Sequence, residues 1–330
     1  MLAFTIRRLF EAIVVMMVVA LGAFIMFRFS GDPLTFLIST DAPIEERLAA
    51  RERLGLDDPI YVQYLRFLEQ TLQGRFGVSL QTTRPVEQLI MERLPATVEL
   101  TVVAALFAIG VGIPSGVYTA LHPRRLAARL LMSVSLIGIS LPSFLIGVGL
   151  IFVFGVTLNW LPTFGRGDVV QLGWWSTGLL TASGLKSLIM PAITLGLFQA
   201  TLIMRLVRGE MLEVLRSDYI KFARARGLPD RLIHFRHALR NTLIPVVTIM
   251  GVQLGSMIAF AIIAETVFQW PGLGLMFINA IKFVDIPVMT SYLVLIGFFF
   301  VVVNLIVDLL YFAIDPRLRS GRSVVRAGGA

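Results

Sequence analysis

Few side chains in this chain are equipped for chemistry, and their spacing argues against catalysis. There are no cysteines, which removes disulfides, thiolate nucleophiles and Cys-ligated metals. His234 and His237 stand three apart and could share a helix face. No third ligand accompanies them, so they read as loop histidines rather than a metal pair. No Gly-x-Ser-x-Gly or His-Glu-x-x-His pattern occurs. The nearest approach to a phosphate-cradling loop, Gly178 to Gly184-Leu185-Lys186-Ser187, has the wrong spacing and no adjacent Gly-Lys. The chain is not an enzyme on its own evidence.

Polar side chains concentrate instead in Arg205 to Pro245, where nine Lys/Arg and four acids sit between two long apolar runs. Such a segment cannot cross a bilayer and must lie beside one. From Glu210 to Arg226 helix formers dominate, with Met211, Leu215, Tyr219 and Phe222 on one stripe. Gly227 permits a turn, and Asp230 is placed to cap a second helix reaching Asn241. The expectation is two short helices at an angle under the membrane. A basic amphipathic segment of this kind could also rest on anionic lipid headgroups.

The elements that must hold this stretch are membrane spans. Of 330 residues, 56% are hydrophobic and 15% charged. Several apolar runs exceed the ~18 residues needed to cross hydrocarbon as a helix. Helices satisfy their own backbone in lipid, and ten-residue alternating segments, the mark of a β-barrel, are lacking. An all-α polytopic membrane protein with six transmembrane helices follows. Expected spans are about 9–27, 97–121, 130–158, 188–207, 243–268 and 288–312. The first, preceded by Arg7-Arg8 and followed by no small-x-small site, reads as an uncleaved span rather than a signal peptide. Residues 30–95 are polar, with helices expected after Asp41, from Asp58-Pro59 (stripe Ile60, Tyr64, Leu68, Leu72) and from Pro85 to Leu94-Pro95. Pro142 should kink span three, and Pro191 should lie in the first turn of span four. The chain divides accordingly into an N-terminal helix (1–29), an extracytoplasmic helical segment (30–96), a five-helix core (97–316) with the basic loop at 205–242, and a tail (317–330).

The net charge of +8 would suggest nucleic acid in a soluble protein. Here it has a simpler source. The N-terminal end, the 122–129 turn, the 205–240 loop and the tail are Arg-rich and fall on one side of a six-span topology, which the positive-inside rule makes cytoplasmic. Ionisable groups within the spans are few. Asp308 lies near the cytoplasmic end of span six, where it can snorkel or pair with a basic loop residue; Glu265 lies near the outer end of span five. Coupled transporters need midplane ionisable groups, so this chain reads as a conduit whose energy comes from elsewhere. Gln253 and Ser256 could line a polar path or form a buried hydrogen-bonded pair. Gly251-xxx-Gly255-xxx-Ala259 is a small-residue ridge for close helix contact, within the chain or with another subunit.

The ordered motifs resemble one family. Asp218-Tyr219, Ala223-Arg224-Ala225, Gly227 and His237-Ala238-Leu239-Arg240-Asn241 look like the EAA loop of ABC-importer permeases of the dipeptide/oligopeptide/nickel branch. Gly31-Asp32-Pro33, Leu54-Gly55-Leu56-Asp57, Arg93-Leu94-Pro95-Ala96-Thr97 and Ser140-x-Pro142-x-Phe144 add to it. So do Glu265-x-x-Phe268-x-Trp270-Pro271-Gly272-Leu273-Gly274 and Asp315-Pro316-Arg317. The sequence departs from the general pattern at Lys221, Phe222 and Arg240, and in the outer segment at Gly74-Arg75-Phe76-Gly77.

The resemblance implies a type I ABC-importer permease fold with an outer helical segment between spans one and two. It implies a second homologous permease, two cytoplasmic ATPases that bind ATP and Mg, an extracytoplasmic binding protein, and no cofactor in this chain. Asp218, Tyr219, Ala223, Arg224, Ala225, Arg226 and Gly227 would form the ATPase-coupling loop. Gly227 would set the helix angle, Ala223 would permit close approach, and Arg224 and Arg226 would meet acids on the ATPase. The competing classes are a proton-coupled secondary transporter or channel subunit, and a lipid-bound scaffold.

Overall fold

The computed structural model describes residues 2–29, 43 and 57–314. The helix expected after Asp41, the Gly31-Asp32-Pro33 motif, most of Leu54–Asp57, and the Asp315-Pro316-Arg317 tail lie outside the described residues.

In chain order the elements are α1 (Leu2–Phe29), α2 (Ile60–Leu72), α3 (Val86–Leu121), α4 (Leu126–Ser140) and α5 (Ser143–Leu150), which continues as π-helical turns over Ile151–Thr157. A small antiparallel hairpin follows, β1 (Val170–Leu172) and β2 (Trp175–Thr177), with Gln171 opposite Ser176. Then come α6 (Ala182–Arg216), α7 (Asp218–Ala225) and α8 (Asp230–Leu232), the last running through π-helical turns (Ile233–Ala238) into α9 (Leu239–Val267). The chain ends with α10 (Leu273–Lys282) and α11 (Ile286–Ile314). Four of these helices, α1, α3, α6 and α11, are long and apolar enough to cross a membrane; counting two bent pairs as one span each gives six.

The central pair is α3 against α6. Gly112 and Gly116, one turn apart on α3, face Ala200 and Met204 of α6 so closely that a Cβ at either would lie 2.7–2.8 Å from an α6 carbonyl oxygen. This is small-residue packing, which lets backbones approach where no hydrophobic drive between helices exists. α9 packs on α6 and α11, and α1 packs on α11. The Gly251/Gly255 ridge of α9 is covered within the chain by Val307, Asn304 and Phe300 of α11. Asp308 pairs with Arg8 of α1 at 3.2 Å, not with a loop residue.

Several boundaries differ from expectation. α3 runs unbroken from Val86 through Pro95, so the division at 96/97 falls inside one helix. The carbonyl of residue 91, four before Pro95, loses its N–H donor, a modest loss when the flanking turns are packed. Span three does not merely kink: the chain bends by 112° between α4 and the α5 arm. Leu141, the residue before Pro142, is extended (φ −90°, ψ 135°), as pre-proline sterics favour, and the helix stops there. α6 starts at Ala182, which places Pro191 well inside the helix rather than in its first turn. On α2 the inward residues are Tyr64 and Phe67, both packed on Phe24, whereas Ile60 and Leu72 of the expected stripe are exposed. The 159–187 and 269–287 loops hold the hairpin and α10, neither of which was expected.

Candidate coupling site and translocation path

The basic stretch folds as a projection from two long helices. α6 carries the chain out to Arg216. Ser217 then breaks the helix (φ −66°, ψ 154°), its hydroxyl donating to the Val214 carbonyl at 2.6 Å. α7 occupies Asp218–Ala225 and ends in a Schellman turn. The Gly227 N–H donates to Arg224 O at 2.9 Å, and the Leu228 N–H to Ala223 O at 3.3 Å. Gly227 sits at φ +77°, the left-handed conformation that glycine adopts without penalty. α8 follows Pro229. Asp230 occupies its first turn instead of capping it, and no side chain caps this helix.

The break at Ser217 shifts the phase of the helix, so Met211 and Leu215 of the expected stripe face the core but Tyr219 and Phe222 do not. Ile220 and Ala223 are buried, together with Met211, Ile233, Ala238 and Val246. Tyr219 and Phe222 instead stand 43% and 63% exposed. Ala223 thus lets α7 lie close on its own protein's core. Lys221, Arg224, Ala225 and Arg226 are exposed. Asp218 pairs with Lys221 at 2.8 Å, the Tyr219 hydroxyl accepts from Asn241 Nδ2 at 2.8 Å, and the Arg226 guanidinium lies 5.7 Å from the Phe222 ring centre. Arg224 and Arg226 make no ion pair with any described residue. The projection therefore presents two aromatic rings and two unpaired guanidiniums on a base that is well packed.

On α9, the Ser256 hydroxyl donates to the Gln253 carbonyl at 2.7 Å, and Gln199 Nε2 of α6 reaches the same carbonyl at 3.4 Å. Nearby, a cavity of about 260 Å³ opens at the break between α4 and α5, lined by Pro142, Thr194, Phe198, Gln199, Met257 and Phe260. His234 and His237 lie in the π-helical turns, and no metal-binding cluster occurs among the described residues.

The opposite end holds polar residues that sequence reasoning did not connect. Buried Glu99 of α3 pairs with buried Arg166, whose guanidinium also donates to the Ser176 hydroxyl (3.0 Å) and carbonyl (2.7 Å) of β2. The Gly178 N–H donates to Glu99 Oε1 at 3.0 Å. Buried Glu265 accepts from the Thr97 hydroxyl at 2.5 Å and the Leu275 N–H at 2.9 Å. Trp270 Nε1–H donates to Ala96 O at 2.9 Å, and its ring lies under Arg166. Asp285 accepts from the Ser79 hydroxyl at 2.6 Å. No local spacing announces these pairs. The one available signal was the cost of an acid in an apolar segment, which demands a partner somewhere.

Known proteins resemble this chain. The chain matches the model for "Binding-protein-dependent transport system inner membrane component" over residues 112–320, and the corresponding N-terminal model over residues 1–101. It is 37% identical, over 97% of its length and all of the relative, to the dipeptide transport system permease protein DppB of Alkalihalophilus pseudofirmus. It is 35% identical, over 97% of its length and 99% of the relative, to the glutathione transport system permease protein GsiC of Escherichia coli K12. A chain of the MetNI methionine ABC transporter, solved in an inward facing conformation, superposes with a TM-score of 0.54 over 69% of this chain and 96% of its own. At 20% identity that likeness carries the fold alone. The chain therefore belongs to the family of inner membrane components of binding-protein-dependent transport systems, as a multi-pass permease subunit of an ABC importer whose ATPase is a separate subunit.

Proposed function

We propose that this subunit imports peptides, with a second homologous permease, two cytoplasmic ATPases and an extracytoplasmic binding protein. The ATPases hold ATP and Mg; this chain holds neither. Its N- and C-termini and the α6–α9 projection face the cytoplasm, where the Arg-rich segments belong. Peptide is the substrate class suggested by the relatives named for dipeptide and glutathione transport.

The observation that carries the reading is α7. Ile220 and Ala223 fix it to the core, while Tyr219, Phe222, Arg224 and Arg226 face outward. Exposed aromatics beside arginines are what protein interfaces select. Asp218 to Gly227 would seat in a groove on one ATPase, Arg224 and Arg226 meeting acids there. Closure of the ATPases would move α7 and, through α6 and α9, the membrane helices. Gln253 and Ser256 would line the path next to the cavity at the α4–α5 break.

The test is substrate uptake and substrate-stimulated ATP hydrolysis by the complete importer in proteoliposomes. Gly227→Asp should lower both by about tenfold or more, the size of effect expected when a catalytic partner is misplaced by about an ångström. Unchanged uptake and hydrolysis would refute the coupling role. Proton-driven uptake by this chain without nucleotide would refute the importer mechanism as a whole.

A further inference from the structure

A second basic feature lies apart from α7, where the end of α3, the start of α4 and the last third of α6 meet. A cavity of about 210 Å³ is lined there by Thr119, Pro123, Ala128, Arg129, Met132 and Arg208. No carboxylate is among these residues. Neither Arg129 nor Arg208 makes an ion pair with a described residue, and Arg208 Nε is shielded from solvent with no hydrogen-bond partner. The Thr119 hydroxyl is already committed to the Ser115 and Gly116 carbonyls. A shielded guanidinium nitrogen without an acceptor is costly, so its presence points to a ligand that supplies one.

Two further observations give the ligand's chemistry. α4 is 15 residues long, and no side chain caps its N-terminus. Its first-turn N–H groups, Ala128 among them, therefore add to the positive potential at the cavity. Leaving the cavity along the same helix is a stripe of exposed apolar residues at helical spacing, Leu126 (71% exposed), Leu130, Val134 and Ile137. A cationic cavity at the end of a membrane helix, continuous with an apolar stripe along it, matches a molecule with an anionic head and hydrocarbon chains.

We infer that this cavity binds the phosphodiester of an anionic phospholipid. Arg129 and Arg208 clamp the phosphate oxygens, the α4 N-terminus faces them, and the acyl chains lie along Leu126, Leu130 and Val134. Arg208 lies eight residues before Arg216 on the same helix, so an occupied site braces α6 against α3 and α4 close to the projection.

The test is native mass spectrometry of the complete importer, purified in mild detergent with equal phosphatidylglycerol and phosphatidylcholine. Two basic side chains at a headgroup should give about a tenfold or greater preference for retained phosphatidylglycerol. The double substitution Arg129→Gln/Arg208→Gln should bring that preference close to parity, and Arg129→Lys/Arg208→Lys should keep most of it. Equal retention of both lipids by the unmodified importer overturns the proposal, even if the Gln variant does not assemble. An undiminished preference in an assembled Gln variant also overturns it. A third arm adds millimolar inorganic phosphate: retained phosphatidylglycerol supports the lipid, and its displacement assigns the site to a soluble phosphate instead.

Discussion

The two ends of this molecule treat their polar residues in opposite ways. At the hairpin end, Glu99, Arg166, Thr97, Glu265 and Asp285 are buried and bonded to one another or to backbone within the chain. At the α7 end, Lys221, Arg224 and Arg226 are exposed, and the two arginines have no ion-pair partner among the described residues. One end is finished by the chain itself; the other is left open within it. Charges buried as partners matter to folding, because removing one strands the other in a medium that cannot solvate it. Charges left at the surface are worth little to folding and are free to serve contact with another protein.

That contrast should appear as a gradient of stability effects. The largest is expected for Glu99→Ala, which leaves Arg166 buried and unpaired; about 3–5 kcal/mol should be lost, seen as a marked fall in thermal unfolding temperature in detergent. Replacing both Glu99 and Arg166 with apolar residues of matching volume should recover much of that loss. Next comes Glu265→Ala, which strands the Leu275 N–H and the Thr97 hydroxyl; about 1–3 kcal/mol is expected by the same measurement. Gly227→Val forces a β-branched residue to φ +77° and should cost about 1–2 kcal/mol. The space beside Gly227 is open, so the effect is one of backbone strain and not of collision. Smallest in stability is Arg224→Glu/Arg226→Glu, expected within about 0.5 kcal/mol of the parent, yet with uptake and ATP hydrolysis uncoupled. If the surface pair unfolded the protein, or the buried pair left it intact, the contrast between the ends would fail.

The spans were legible because a run of apolar residues has only one way to satisfy its backbone in lipid. The layout of the basic segment was legible too: the charge cluster and the turn at Gly227 are both local. Its facing was not. The stripe Met211, Leu215, Tyr219, Phe222 assumes one continuous helix, and the break at Ser217 turns Ile220 and Ala223 inward in place of the two aromatics. The break at Pro142 was underestimated for a related reason. A proline sets where a helix yields, while the angle depends on what the two arms pack against. The buried pairs at the hairpin end were invisible because their members are far apart in the chain, 67 residues for Glu99 and Arg166 and 168 for Thr97 and Glu265. Ten-residue α10 was hidden in a segment whose apolar content resembles a span end.

The continuity of α6 has a mechanical consequence. Its 35 residues form a rod of about 52 Å, well beyond the ~30 Å of hydrocarbon. It begins under the hairpin and ends at the start of α7. Between these ends it lies tight against α3 over about two turns, where an added Cβ at Gly196, Gly112 or Gly116 would lie 2.6–2.8 Å from a carbonyl oxygen of the other helix. A rod held along residues 196–204 leaves arms of about 18 Å toward Arg216 and about 21 Å toward Ala182 at 1.5 Å per residue. A tilt of that pair as one body would move its two ends by similar amounts in opposite senses. The α7 projection and the hairpin end would then shift together, with no second moving part.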